Sequence, residues 1–292
     1  MSQQFNKGLI LTSLGSFWWG FIGVIYFEMV SFIGHIELVV HRCLWTAVML
    51  IITTIFFKKW AIFTKTISNK KNLIYLFLSG LLIFINWAIW IYAVSTERII
   101  DASFGYFIMP IISVLLGYIF FGENLNRKRI FSIVLVFISI LIMIFFSLKS
   151  LPWVGLIVAL SWAFYNLVRK KINVDTDIGL LIESLFILPF ALTTFYFIFI
   201  NGVNDFNLSN PGFSLLLTLA GPMTVIPLFL YVRGVELIGL GPTGMIFYIT
   251  PTLQFILGYF YYNEEFSLLK FLSFIIIWIA VFIYLKDLYE TN

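Results

Sequence analysis

The sequence predicts an all-α integral membrane protein whose ten transmembrane helices form a five-plus-five inverted-topology repeat. Three observations carry this expectation. Of the 292 residues, 61% are hydrophobic and 11% charged, where a water-soluble globule has about 25% charged residues. The hydrophobic residues fall into ten runs, each close to the roughly 20 residues that a helix needs to cross hydrocarbon. The stretch DASFGYFIMPIISVLLGYIFFGE, interrupted by Gly105 and Pro110, recurs after a shift of 141 positions, which lays Pro251 on Pro110, Gly258-Tyr259 on Gly117-Tyr118 and Glu264 on Glu123.

In order, the runs are 8–27, 34–57, 73–95, 100–121, 128–147, 151–168, 178–200, 213–232, 242–261 and 267–285. The first follows Lys7 but is not succeeded by a small-x-small cleavage site, so it reads as an uncleaved span rather than a signal peptide. Lys7, the lysines between 58 and 71, Arg127-Lys128-Arg129, Arg169-Lys170-Lys171, Arg233 and Lys286 fall on one side of the membrane, and only Arg98, Lys149 and Lys270 on the other. The positive-inside rule then puts both termini in the cytoplasm. The shift of 141 also matches Gly80 with Gly221, Val94 with Val235 and Ser132 with Ser273, yet the basic triplet after the fourth run corresponds to Glu264-Glu265 after the ninth. Five helices per half, an odd number, turn the second half upside down, and similar sequence with opposite loop charge is what such a repeat leaves. The halves are 1–149 and 150–292.

Composition also excludes function classes. The net charge of +4 sits between apolar runs, where it sets orientation, so no nucleic-acid partner is expected. Cys43 is the only cysteine, which rules out an internal disulfide and a cysteine-rich metal site. No G-x-x-x-x-G-K-[ST] stretch is present to cradle a nucleotide, and neither His35 nor His41 lies in an H-E-x-x-H. No cofactor and no metal are expected, and the chain does not read as an enzyme.

The chemistry is confined to a few polar residues at membrane depth. Arg42 lies about 12 Å below the outer boundary at ~1.5 Å rise per residue. A lone guanidinium there costs at least about 2.5 kcal/mol, so it faces water, a carboxylate or an anionic substrate group. Two roles are open for it, a clamp on a substrate carboxylate or phosphate and a structural tie to a helix end or to Glu183. His41 and Glu37 share one face of the same helix, one turn apart, and Glu37 reads as an interfacial acid. Glu183 is open between carrying a coupling proton and pairing with Arg42. Asn86 with Trp87 and Trp90, Trp18 and Trp19, Trp162 with Tyr165 and Asn166, and Gln254 supply an amphipathic cavity wall, against helix packing or lipid contact as the plainer role of each aromatic. Pro110 and Pro251 each remove a backbone donor inside a helix and leave a bend available for gating. Glu123 and Glu264 read as caps or hinges between helices.

His41-Arg42, Asn86-Trp87, Gly105-Tyr106-Phe107-Ile108-x-Pro110, Gly122-Glu123, Ser150-Leu151-Pro152-Trp153, Leu167-Val168-Arg169-Lys170-Lys171, Leu181-Ile182-Glu183, Pro227-Leu228 and Tyr248-Ile249-x-Pro251-Thr252 together resemble the RarD branch of the EamA-type drug/metabolite transporters. The resemblance implies a multi-pass carrier in the bacterial inner membrane, with the first four helices of each half around a central cavity and the fifth and tenth as lateral supports. It also implies a small-molecule substrate such as an amino acid or a related amphipathic compound, exported or exchanged by alternating access. The chain departs from similar proteins at Phe247-Tyr248, where Gln-Tyr is common, and at Asn263-Glu264, where a second Gly-Glu is common. The substrate-binding set expected from the residues and the resemblance is Arg42, His41, Asn86, Trp87, Trp90, Tyr106, Tyr165, Asn166, Glu183 and Tyr248, with Pro110 and Pro251 as gating positions. The other partners expected are membrane lipid and a coupling proton. A passive pore for a neutral solute is the alternative function, followed by a membrane-embedded enzyme.

Overall fold

The computed structural model describes residues 3–95, 99–147, 153–207, 209–261 and 268–291. Among these, every regular element is helical. Arg98 and Lys149, used in the charge count, Ser150-Leu151-Pro152 of the family motif, and the Asn263-Glu264-Glu265 hinge lie outside the described residues.

Among the described residues, seven helical stretches are long and apolar enough to cross a membrane: Gln3–Met29, His35–Phe56, Lys70–Trp90, Arg127–Phe145, Thr176–Ile200, Pro211–Ile238 and Phe271–Thr291. The first consists of α1 (Gln3–Phe17), a π turn at Trp18–Ile22 and α2 (Gly23–Met29) without a gap. After it come α3 (His35–Phe56), the short α4 (Trp60–Ile67), α5 (Lys70–Ser95), α6 (Ile99–Phe121), α7 (Arg127–Ser147), α8 (Trp153–Lys171) and α9 (Thr176–Ile200). The chain ends with α10 (Pro211–Thr218), α11 (Ala220–Ile238), α12 (Leu240–Ile246), α13 (Ile249–Phe260) and α14 (Leu268–Thr291). The remaining expected spans fall on α6, whose stretch Gly105–Phe121 is apolar, on α8, and on α12 with α13. Helix α8 has 19 residues, closes on three basic ones and is buried along most of its length, so it serves the bundle interior more than a lipid face.

The two proline-bearing runs behave differently. The second breaks at Phe247–Tyr248, between α12 and α13. Pro251 has no N–H to give the carbonyl of Phe247, and that carbonyl accepts from the Thr250 N–H instead, at 2.9 Å. The expected interruption of the first run is absent: α6 passes through Pro110 unbroken. Neighbouring helices support a missing bond in such a helix, and here α8 and α12 pack along α6.

The bundle is held by close helix crossings at small residues. Helix α1 packs along α11, α8 along α5 and α6, α3 along α9 and α11, and the π turn against α13. A Cβ added at Gly105 would stand 2.6 Å from the Gly155 carbonyl on α8, and one at Gly221 would stand 2.5 Å from the Trp45 carbonyl on α3. These backbones meet without side chains between them, as small-residue membrane interfaces require. Gly105→Leu is therefore expected to destabilise the protein by about 1–3 kcal/mol through overpacking, read as a lower thermal midpoint in detergent. Gly34→Ala, where a Cβ meets nothing within 4 Å, is expected to leave the midpoint unchanged.

Helices α7 and α14 pack on each other and reach the rest of the bundle through α6 and α12. Arg129, at the start of α7, fastens the pair: its Nε donates to Asp287 Oδ2 at 2.8 Å, one Nη to the Asn124 carbonyl at 2.8 Å and the other to Thr291 Oγ1 at 2.7 Å. The first turn of α7 thus meets the last turn of α14, and the two run antiparallel. Between α3 and α4, Lys59 reaches Asp177 at 2.7 Å and Asp175 at 3.3 Å at the start of α9. Partial burial alone would lower the Lys59 ammonium, but the two carboxylates outweigh it and raise its pKa above the ordinary lysine value.

Candidate functional site

Side chains from most of the bundle converge on an internal cavity of about 380 Å³, in the size range of small-molecule sites. On α3 its wall is the stripe His35, Leu38, Val39 and Arg42, spaced as neighbours along one helical face. Helix α5 adds Asn86, Trp87 and Trp90, α6 adds Tyr106, α8 adds Trp162, and α11 adds Thr224 and Leu228. The π turn brings in Trp19, and the break between α12 and α13 brings in Phe247, Thr250 and Gln254. A π turn shifts the register of the side chains beyond it, and Gly20 within it lets the chain lie against Thr250 of α13, where a Cβ would stand 2.9 Å from the Thr250 carbonyl.

The cavity extends to the end of the bundle where the Val30–Ile33 turn and His35 lie. At the opposite end Gly8 of α1 packs closely on Ile238 of α11. A layer of rings separates the two: Trp19 lies 5.2 Å from Trp162 and 6.1 Å from Phe247, and Tyr231 lies 5.6 Å from Phe247, centroid to centroid. Such edge-to-face contacts give a rigid apolar floor.

Arg42 is the charged feature of this wall. Its Nε donates to Thr224 Oγ1 at 3.3 Å, and its guanidinium carbon lies 5.0 Å from the ring of Trp87 and 5.4 Å from that of Phe27. It makes no ion pair with a carboxylate among the described residues. The expected structural tie between Arg42 and Glu183 does not form. Glu183 instead accepts from Ser79 Oγ at 2.5 Å and from the Tyr165 hydroxyl at 3.1 Å, with Arg169 Nε 3.5 Å away. Arg169 also donates to the Thr176 carbonyl at 3.2 Å and lies 3.8 Å from Glu236. Gly179 makes room for it, since any Cβ there would overlap the guanidinium.

Of the expected substrate-binding residues, Arg42, Asn86, Trp87, Trp90 and Tyr106 line the cavity together. His41, Tyr165, Asn166, Glu183 and Tyr248 are buried elsewhere. One residue from Arg42, His41 turns to the other side of α3, where its Nδ1 accepts from Trp45 Nε1 at 3.2 Å and its ring packs 5.1 Å from Phe206. Glu37 accepts from the N–H groups of Asp205 and Phe206 at 2.9 and 3.2 Å, so it anchors a loop. Asn166 donates to the Trp162 carbonyl one turn back at 2.9 Å. The Tyr248 hydroxyl donates to the Phe107 carbonyl at 2.7 Å, which fixes the broken helix against α6. Pro110 and Pro251 are both buried, at the α6–α12 contact and beside the α12–α13 break.

Sequence reasoning left Phe27 and Thr224 out of the site, and it read Arg169 as a loop charge. Counting three, four and seven residues back from Arg42 would have found Val39, Leu38 and His35. Nothing in the chain signals that Phe27 and Thr224 flank the guanidinium, because α2, α3 and α11 meet only in the folded bundle.

Glu123 does cap a helix, though not the one that follows it. Its carboxylate accepts from the N–H groups of Leu240 and Gly241 at the start of α12, both at 2.8 Å, and from Lys170 Nζ at 2.7 Å. Gly122 at φ +64 turns the chain to aim it there. Glu123→Ala is expected to cost about 1–3 kcal/mol by leaving these donors without a charged acceptor, seen as a lower thermal midpoint, and Glu123→Asp should restore only part of it.

The profile of the EamA-like transporter family matches residues 6–145 and again 150–286. An uncharacterized transporter, YojE of Bacillus subtilis (strain 168), is 34% identical over 282 residues, which cover 96% of this chain and 93% of YojE. Protein RarD of Escherichia coli (strain K12) is 31% identical over 291 residues, covering 100% of this chain and 98% of RarD. A solved crystal structure with 12% sequence identity superposes with a TM-score of 0.72 over 95% of this chain and 96% of that one, which extends the likeness to the fold. The chain belongs to the EamA-like transporter family, in its RarD branch.

Proposed function

We propose that the protein is a secondary carrier that moves a small amphipathic metabolite with an acidic group, such as an amino acid or a related compound, by alternating access. The observation that carries this reading is a guanidinium that has no carboxylate partner among the described residues, on the wall of a closed-bottomed, aromatic-lined cavity. A cation left without a carboxylate inside a membrane bundle is otherwise an uncompensated cost. The substrate's acidic group sits on Arg42 and its apolar part lies against Trp87, Tyr106 and Phe247.

The frame for this motion is a ten-helix bundle of two inverted halves, 1–149 and 150–292, in the bacterial inner membrane with both termini cytoplasmic. Supporting it, the family profile matches each half separately. The packing pairs also exchange between halves: α1 with α11 answers to α8 with α5, and α3 with α11 to α9 with α5. Phe107 and Tyr248, which correspond under the shift of 141, touch each other, as residues beside a two-fold axis do. The cavity then opens to the outer side, and rocking of the halves about the Pro110 and Pro251 helices would open the other.

Proton coupling through Glu183 would require neutralising the carboxylate that faces Arg169. We therefore place Glu183 in the scaffold and leave a coupling ion out of the scheme. A neutral-solute pore, the second reading, does not account for the charge of Arg42.

Accessibility tests the carrier reading. In a chain with Cys43→Ala, Gln254→Cys on the cavity wall should react with an impermeant maleimide from the outer side, and Val235→Cys, fully buried towards the other end, should not. A transported substrate should slow the first reaction and expose the second to reagent from the cytoplasmic side. Reaction at both positions from one side at all times would mean a pore.

A further inference from the structure

Charge on the cavity wall is one-sided. Among the described residues no aspartate or glutamate lines it, and its ionisable side chains are Arg42, the mouth residue His35 and Tyr106. Thr224 occupies Nε of Arg42, while Trp87 and Phe27 hold the guanidinium near their rings, which leaves the two Nη groups to receive a two-oxygen acceptor end-on. A cationic group carried on the same solute would meet no carboxylate among the described residues. The ring faces that attract a cation are already taken at Trp87 and Phe27 by Arg42, and a second cation a few ångströms away is repelled strongly at low dielectric. The neutral groups offer little in exchange: the Asn86 amide nitrogen points into the bundle, to the Val158 carbonyl and Ser161 Oγ, and the Thr250 hydroxyl donates to the Ser16 carbonyl. What remains are the hydroxyls of Ser31 and Tyr106, the amide oxygens of Asn86 and Gln254 and the rings of Trp90 and Tyr106, which compensate a buried ammonium less than a carboxylate does.

We propose, on the basis of the carrier reading above, that the cavity selects solutes of net negative charge, an apolar body bearing a single carboxylate or a similar oxyanion, over zwitterions and cations with the same body. This narrows the substrate class away from amino acids in their usual ionic form.

Two charge series test this on the purified protein by isothermal titration at neutral pH: 3-phenylpropionate, phenylalanine and phenethylamine, and 4-methylpentanoate, leucine and isopentylamine. In each series the carboxylate is expected to bind at least about tenfold more tightly than the other two, about 1.4 kcal/mol. Arg42→Gln should weaken the carboxylate by that factor or more and erase the ranking, and Arg42→Lys should restore the ranking with lower affinity. A zwitterion or an amine binding as tightly as its carboxylate overturns the charge rule while leaving a binding cavity and the carrier reading in place. Binding of no member of either series to the wild-type protein overturns the rule and the placing of the substrate at Arg42 together.

Discussion

Arg42→Gln is expected to reduce saturable transport of an acidic substrate by at least about 100-fold while the protein stays folded. A charged, two-pronged hydrogen bond in a desolvated cavity is worth about 3 kcal/mol, two powers of ten. Glutamine keeps one donor and no charge. The fold should not suffer, since among the described residues the guanidinium donates only to Thr224 Oγ1, a hydroxyl that already donates to the Ala220 carbonyl at 2.8 Å. A thermal midpoint equal to that of the wild type, alongside lost transport, is the expected pair of readings. Arg42→Lys should retain about a tenth of wild-type activity, because an ammonium keeps the charge and loses the fork. If Arg42→Gln transports normally, the arginine is not on the substrate path.

Glu183→Gln is expected to have the opposite profile, a loss of stability of about 3 kcal/mol. Arg169 is almost completely buried, and Glu183 is its nearer carboxylate, at 3.5 Å against 3.8 Å for Glu236. Removing that charge leaves a buried guanidinium underpaired, which costs more than the pair itself contributes. The double change Glu183→Leu with Arg169→Met removes both charges and should recover at least half of the loss in thermal midpoint. If the single variant melts like the wild type, Glu183 does not hold Arg169, and its part in a proton pathway returns to consideration.

How much of this was legible in the chain follows from the range of each interaction. Hydropathy placed the helices, because crossing hydrocarbon constrains local composition. The break beside Pro251 was legible because proline removes a known bond, whereas the continuity of α6 through Pro110 was not, since it depends on α8 and α12 lying alongside. Arg42 stood out as a lone cation at depth. Arg169 did not, because it heads a basic triplet that reads as a cytoplasmic loop, and only the folded bundle buries it, against Gly179 and Glu183 of α9 and Glu236 of α11. Tyr165, Asn166 and Tyr248 were grouped with the cavity for their chemistry, but their helices present them to neighbouring backbones and carboxylates. The π turn that sets Trp19 on the wall has no sequence signature of its own.

The central claim, a carrier whose substrate is held at Arg42, is tested most directly by counterflow in proteoliposomes. Vesicles preloaded with unlabelled 3-phenylpropionate, phenylalanine or another small metabolite are given the labelled compound outside, with wild-type protein and with Arg42→Gln. The account predicts saturable, transient accumulation of the labelled acid against its gradient for the wild type and none for the variant. Uptake that rises linearly with concentration, ignores the preload and survives Arg42→Gln would contradict it and point to a passive pore.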